Sequence, residues 1–171
     1  MRKLTALLAA GLVLGFSGMA MALDSDSITV TATATVIAPL YVAQITPMNF
    51  GKFSGGNGSG GTISIDASDS RTASGGSGIQ LAGGVTAKAG EFEVTGQPTY
   101  HYDIPAIAST VLTDGTSSRD MAVSFTRSQT TGILDGTTGK NSFKVLPTLT
   151  VAGAQVAGTY QGSYIVTVTY Q

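Results

Sequence analysis

Gly56, Gly58 and Gly61 are spaced as G-x-G-x-x-G, a pattern that can cradle a dinucleotide pyrophosphate. That chemistry needs a helix after the glycines, because the helix N-terminus carries the anion. Thr62–Asp66 (TISID) follows instead and reads as a strand, so no cofactor site is expected. His101 is the only histidine. A nucleophilic triad would set it beside a serine and a carboxylate, and no G-x-S-x-G elbow surrounds an obvious serine. It lies between Tyr100 and Tyr102 in a strand-like run, which turns it to the face opposite both rings. With no cysteine and one histidine, a zinc ligand set cannot be filled. Asp24 with Asp26, and Asp66 with Asp69, offer calcium-type oxygens without the EF-hand loop pattern, and read as solvated turn residues. Glu91 and Glu93 share a strand face, as acid–base carboxylates can, but Phe92 and Val94 between them indicate an ordinary half-exposed strand. Tyr100, Tyr102, Tyr160 and Tyr164 fit either a sugar-stacking platform or core and cross-strand packing. The expectation is a protein with no catalytic site, metal or cofactor.

The elements that would position these residues are strands. The chain has 171 residues with 23 glycines, no cysteine, no tryptophan and 11% charged residues. That length and 42% hydrophobic content suffice for one packed domain without disulfides. Arg2 and Lys3, the apolar run Leu4–Phe16 and the small-x-small triplet Ala20-Met21-Ala22 form a secretory leader over 1–22. The mature chain then starts at Leu23, with seven basic and ten acidic residues and a net charge of −3. No basic patch is present, which argues against nucleic acid as a partner.

Residues 23–37 form an extension that contains Ile28–Val36, ITVTATATV. Ile28, Val30, Ala32, Ala34 and Val36 alternate with threonines, the period of a strand with one apolar face. Two readings stand: an ordinary first strand of a closed sandwich, or a donor strand that inserts into a neighbouring subunit. Pro39 breaks the pattern, as suits a boundary between extension and domain. Within 38–171, short strands are expected at Leu40–Ile45, Thr62–Asp66, Ile79–Leu81, Val85–Lys88, Glu91–Thr95, Thr99–Ile104, Thr110–Thr113 and Met121–Thr126. Ser142–Leu146 and Leu149–Val151 follow, and Ala67–Gly78 reads as a polar loop. The last stretch, Gly158–Gln171 (GTYQGSYIVTVTYQ), alternates again, broken only by Ile165. Its free edge invites a strand from another chain. So many short strands with frequent turns predict an all-β, Ig-like (pilin-like) antiparallel β-sandwich.

The terminal stretch resembles the C-terminal signature of chaperone–usher pilus subunits, which pairs a penultimate tyrosine with a glycine fourteen positions from the end. Tyr170 and Gly158 occupy those places, and Tyr164, Val166 and Val168 stand where that family has its zipper residues. The order VTATATV, PMNFG, FEVTG, VLPTLTVAG and AGTYQGSYIVTVTYQ also resembles the secreted bacterial domain of unknown function 4402, with ends similar to spore coat protein U-like subunits. Many pilins carry a disulfide near the N-terminal strand, and this chain has none. The resemblance implies a non-enzymatic fimbrial subunit that passes through the periplasm to the cell surface. It implies a periplasmic chaperone pairing with the terminal strand, an outer-membrane usher, and self-association by donor-strand exchange into a homopolymer or with related subunits. The alternatives are a self-complete secreted coat or matrix sandwich, or a carbohydrate-binding protein using the tyrosines.

Overall fold

The structure, a computed structural model, describes residues 25–55, 58–75, 78–116 and 120–171. The leader expected over 1–22 and Gly56 of the glycine motif lie outside the described residues, as does Asp24. The chain divides between Thr35 and Val36 into two units, each described by itself. In the first, the described residues are exposed and belong to no strand.

The second unit is all-β, with no helix among the described residues. Its strands are β1 (Tyr41–Thr46), β2 (Phe53–Gly55), β3 (Gly61–Ile65), β4 (Arg71–Ser74), β5 (Ile79–Leu81) and β6 (Gly90–Thr95). They continue with β7 (His101–Asp103), β8 (Thr110–Leu112), β9 (Met121–Arg127), β10 (Thr131–Ile133), β11 (Lys140–Val151) and β12 (Thr169–Tyr170). A seven-stranded antiparallel sheet is built on β11. Along one side, β6 pairs with residues 140–145 and β3 with 148–151. Along the other lies β9, which carries β8. β1 flanks β6 and β4 flanks β3. A three-stranded sheet, β10-β7-β12, and a β2-β5 ribbon complete the sandwich.

Period-two patterning explains which faces meet. In β6, Gly90, Phe92 and Val94 are buried while Glu91 and Glu93 are half-exposed. Phe92, Val94, Phe143 and Val145 of the large sheet pack with Tyr102, Ile104 and Leu134, and with Tyr170 of β12. A second cluster joins Ile63, Ile65, Met121, Val123, Leu149 and Val151 to Phe53 of β2 and Ile79 of β5.

The structure differs from the sequence expectation at four places. Pro147 does not end a strand: β11 runs unbroken through it. Ser128 N–H donates to the Lys144 carbonyl on the β9 side. Peptide groups alternate sides along a strand, so position 147 faces the seam between the end of β6 pairing at Val145 and the start of β3 pairing at Thr148. No N–H is needed there. The expected polar loop over 67–78 contains β4, which lacks apolar alternation because it is held by backbone pairing and by Arg71. That guanidinium donates to the carbonyls of Phe50, Lys52 and Ala82. The expected strand at Val85–Lys88 reduces to a single bridge, Asn49 with Lys88. β10 was hidden by Gly132, whose Cβ would overlap the Tyr102 ring.

Candidate functional site

Asp66, Asp69, Glu91 and Glu93 each have hydrogen-bond or ion-pair partners. Asp66 accepts from Ser68 N–H, Ser68 Oγ and Ser70 N–H, closing its own turn. Asp69 takes Lys88 Nζ at 2.9 Å, Lys144 Nζ at 3.2 Å and Ala89 N–H at 3.1 Å. The hydrogen bond from Lys88 is the main cause that lowers its pKa to about 2. Glu93 pairs with Lys140 at 2.8 Å, and Glu91 accepts from Thr46 Oγ1 at 3.4 Å. His101 is exposed on the face opposite buried Tyr102. No metal-type cluster of acidic residues, histidine and cysteine occurs among the described residues. The four tyrosines form no single platform: Tyr102 is fully buried, Tyr100 meets Tyr170 edge-on, and Tyr160 and Tyr164 line a cleft. β3 begins at Gly61, so the glycine motif leads into a strand.

The second unit holds a cleft of about 1400 Å³. One bank is the chain from Gln44 to Gly55, the other runs from Ala154 to Gly162 and on to Tyr164. Leu112, Met121, Val123, Phe125 and Leu149 supply its apolar floor. Its volume exceeds the roughly 300–1,000 Å³ of small-molecule pockets.

The first bank is largely paired: Asn49 bridges Lys88, Phe53–Gly55 pair with β5, and Arg71 donates to the Phe50 and Lys52 carbonyls. β1 pairs with β6 alone, and all its residues but Thr46 are exposed, Tyr41 by 64% and Ile45 by 54%. The terminal stretch was expected as one regular strand over 158–171. Its ladders are confined to a bridge between Gln161 and Thr113 and to β12. Residues 162–168 lie outside any ladder, although Thr110 Oγ1 donates to the Ser163 carbonyl. Side-chain alternation persists there nonetheless. Tyr164, Val166, Val168 and Tyr170 are half-buried against the core, and Ile165 is 83% exposed. The predicted apolar face therefore points into its own domain, and a partner strand would meet the backbone edge beside it.

Tyr164 lies where bank and core meet. Its ring stands 4.6 Å from Phe125 and edge-on to Phe92 at 6.3 Å. Its hydroxyl is buried without a partner among the described residues, and burial raises its pKa. Gly90 makes room for it, since a Cβ there would lie 2.6 Å from the hydroxyl. Gly158, singled out by position, is exposed, and a Cβ there would meet only ordinary contacts. Gly162 is the sterically required glycine of this bank, because a Cβ would overlap the Val111 carbonyl. Nothing in the local pattern separates the two glycines. Tyr170 Oη accepts from Gln97 N–H at 2.7 Å and donates to the Ala38 carbonyl at 2.9 Å. Ile28, Val30 and Val36 are 84%, 81% and 95% exposed, and Ala32 and Ala34 are exposed as well.

Fold and cleft together define an antiparallel β-sandwich with an apolar trough bordered on one side by the ladder-free stretch 162–164. The chain belongs to the family described as Domain of unknown function (DUF4402), whose model matches residues 40–170. No curated protein and no solved structure matches the chain.

Proposed function

We propose that this protein is an exported, non-enzymatic structural subunit that assembles head to tail by strand donation. Ile28–Val36 of one copy lies in the cleft of the next and pairs with its ladder-free rim, a case of β-augmentation. The observation that carries this reading is the trough between residues 44–55 and 154–164, which has an apolar floor and, at 162–164, a rim that lies outside any ladder. The occupant fits in pattern, and its nine extended residues span about 30 Å. Alternate residues Ile28, Val30, Ala32, Ala34 and Val36 then face the floor. Burying a Val or Ile side chain contributes about 1.5–3 kcal/mol, so the three branched residues give roughly 5–9 kcal/mol before ordering costs. Head-to-tail contact of this kind extends into an open filament instead of closing a ring.

The leader expected over 1–22 and the pilin-like ending support passage through the periplasm. There a chaperone would shield the edge beside Tyr164, Val166 and Val168 until an outer-membrane usher releases the subunit into a surface fimbrium.

The test is a charge placed in the donated face. Full-length protein should run as a ladder on unheated denaturing gels and collapse to one band on heating. Ala34→Asp would bury a carboxylate in the trough, at a cost of several kcal/mol, while altering a residue that is exposed before assembly. The expected result is a folded monomer and no ladder. A wild-type chain that never forms a ladder, or an Ala34→Asp chain that still does, would refute strand donation.

A further inference from the structure

The point where the donated segment joins its own domain is tied down. Ala38 lies two residues beyond Val36, and both polar groups of its backbone are bonded. Its N–H donates to Gln97 Oε1 at 3.1 Å, and its carbonyl accepts from Tyr170 Oη at 2.9 Å. The same hydroxyl accepts from Gln97 N–H at 2.7 Å, closing a small ring of bonds. Gly96 lies beneath it, and a Cβ there would overlap the Tyr170 hydroxyl and press on Leu40 and Leu134. Tyr170 is fixed in turn. It pairs with Tyr102 in the β12–β7 ladder and meets Tyr100 edge-on at 5.8 Å. Gln171 extends the hold, with its N–H donating to the His101 carbonyl and Nε2 to Asp103 Oδ1.

Resting on the strand-donation reading, we propose that Tyr170 and Gln97 act as a joint lock that sets the angle between successive subunits. With Val36 held in the neighbour's trough and Ala38 held by Tyr170, Ile37 alone is left to flex. Two extended steps reach about 7 Å, so the neighbour's trough must open beside this ring of bonds, and the filament is stiff. Releasing the lock frees Ala38 as well and lengthens the flexible joint as far as Pro39. Chain flexibility grows with each unconstrained residue. Tyr170 is a positioning residue here: it holds the base of the segment without entering the neighbour's trough.

Two variants test this, Tyr170→Phe, which keeps the ring, and Gln97→Ala, which keeps the tyrosine. Two measurements are made on each. In full-length protein carrying the assembly-blocking Ala34→Asp, hydrogen exchange at the Ala38 amide should quicken by roughly tenfold or more with either added variant. In assembling protein, ladders should persist while the persistence length in electron micrographs falls about twofold or more. Unchanged exchange, or filaments as stiff as wild type, overturns the lock and leaves strand donation intact. If Tyr170→Phe fails to fold, Gln97→Ala decides. A wild-type protein that stays monomeric removes the strand-donation reading and the lock with it.

Discussion

Asp69 adopts φ 65°, an uncommon conformation for a non-glycine residue, and is held there by two lysines and the Ala89 amide. Its side chain is 17% exposed, that of Lys144 24% and that of Lys88 44%, so the cluster is only partly open to solvent. Because its pKa falls from 3.8 to about 2 on folding, the carboxylate contributes stability in full above the unfolded value. That contribution is lost as the pH drops from about 3.8 towards 2. Asp69→Asn should lower stability at pH 7 by about 1 kcal/mol, a Tm fall of roughly 2–4 °C. Melting curves of variant and wild type should converge near pH 2. A gap that persists at that pH would show that packing, not charge, fixes this turn. Aspartates in a Ser-rich stretch read as turn residues, which Asp66 is. The partners of Asp69 are distant in sequence, at 88 and 144, so its clamp left no local trace.

At the scale of elements, β11 carries the clearest consequence. Pro147 is fully buried and faces the seam between β6 and β3. Pro147→Ala restores an N–H where no ladder partner stands and removes ring packing. An unsatisfied buried donor costs about 1–3 kcal/mol, so the variant should be destabilised by about that amount in chemical denaturation. A neutral or stabilising outcome would place a partner for that N–H in the seam. A proline inside an alternating apolar run argues against a continuous strand when only sequence is read. It is tolerated here because two partner strands meet end to end. β4 and β10 escaped for the opposite reason. Their residues carry no apolar period, and backbone pairing with β3 and β7 defines them.

The whole molecule leaves Tyr41, Val42, Ile45 and Ile165 exposed along the unpaired edges. Long, apolar, uncovered edges are an association hazard unless something pairs with them. A synthetic peptide of residues 28–36 should therefore stabilise the full-length Ala34→Asp monomer by occupying its trough. At about 100 times its Kd the gain is about 2.7 kcal/mol, read as a rise in Tm with peptide concentration. A scrambled peptide of the same composition should give no rise. Equal effects from both peptides would mean non-specific coating of the exposed edges.

The sequence by itself determined the all-β class and which side chains of the terminal stretch share one apolar face. Side-chain alternation along an extended chain is a local property and can be read one residue after another. Only the tertiary structure decided that 162–168 keeps that alternation without a ladder, and that a trough opens between residues far apart in sequence. It also brought Ala38, Gln97 and Tyr170 to one point. Those outcomes depend on which distant backbones find one another and in which register, and non-local pairing of that kind leaves no periodic mark on the sequence.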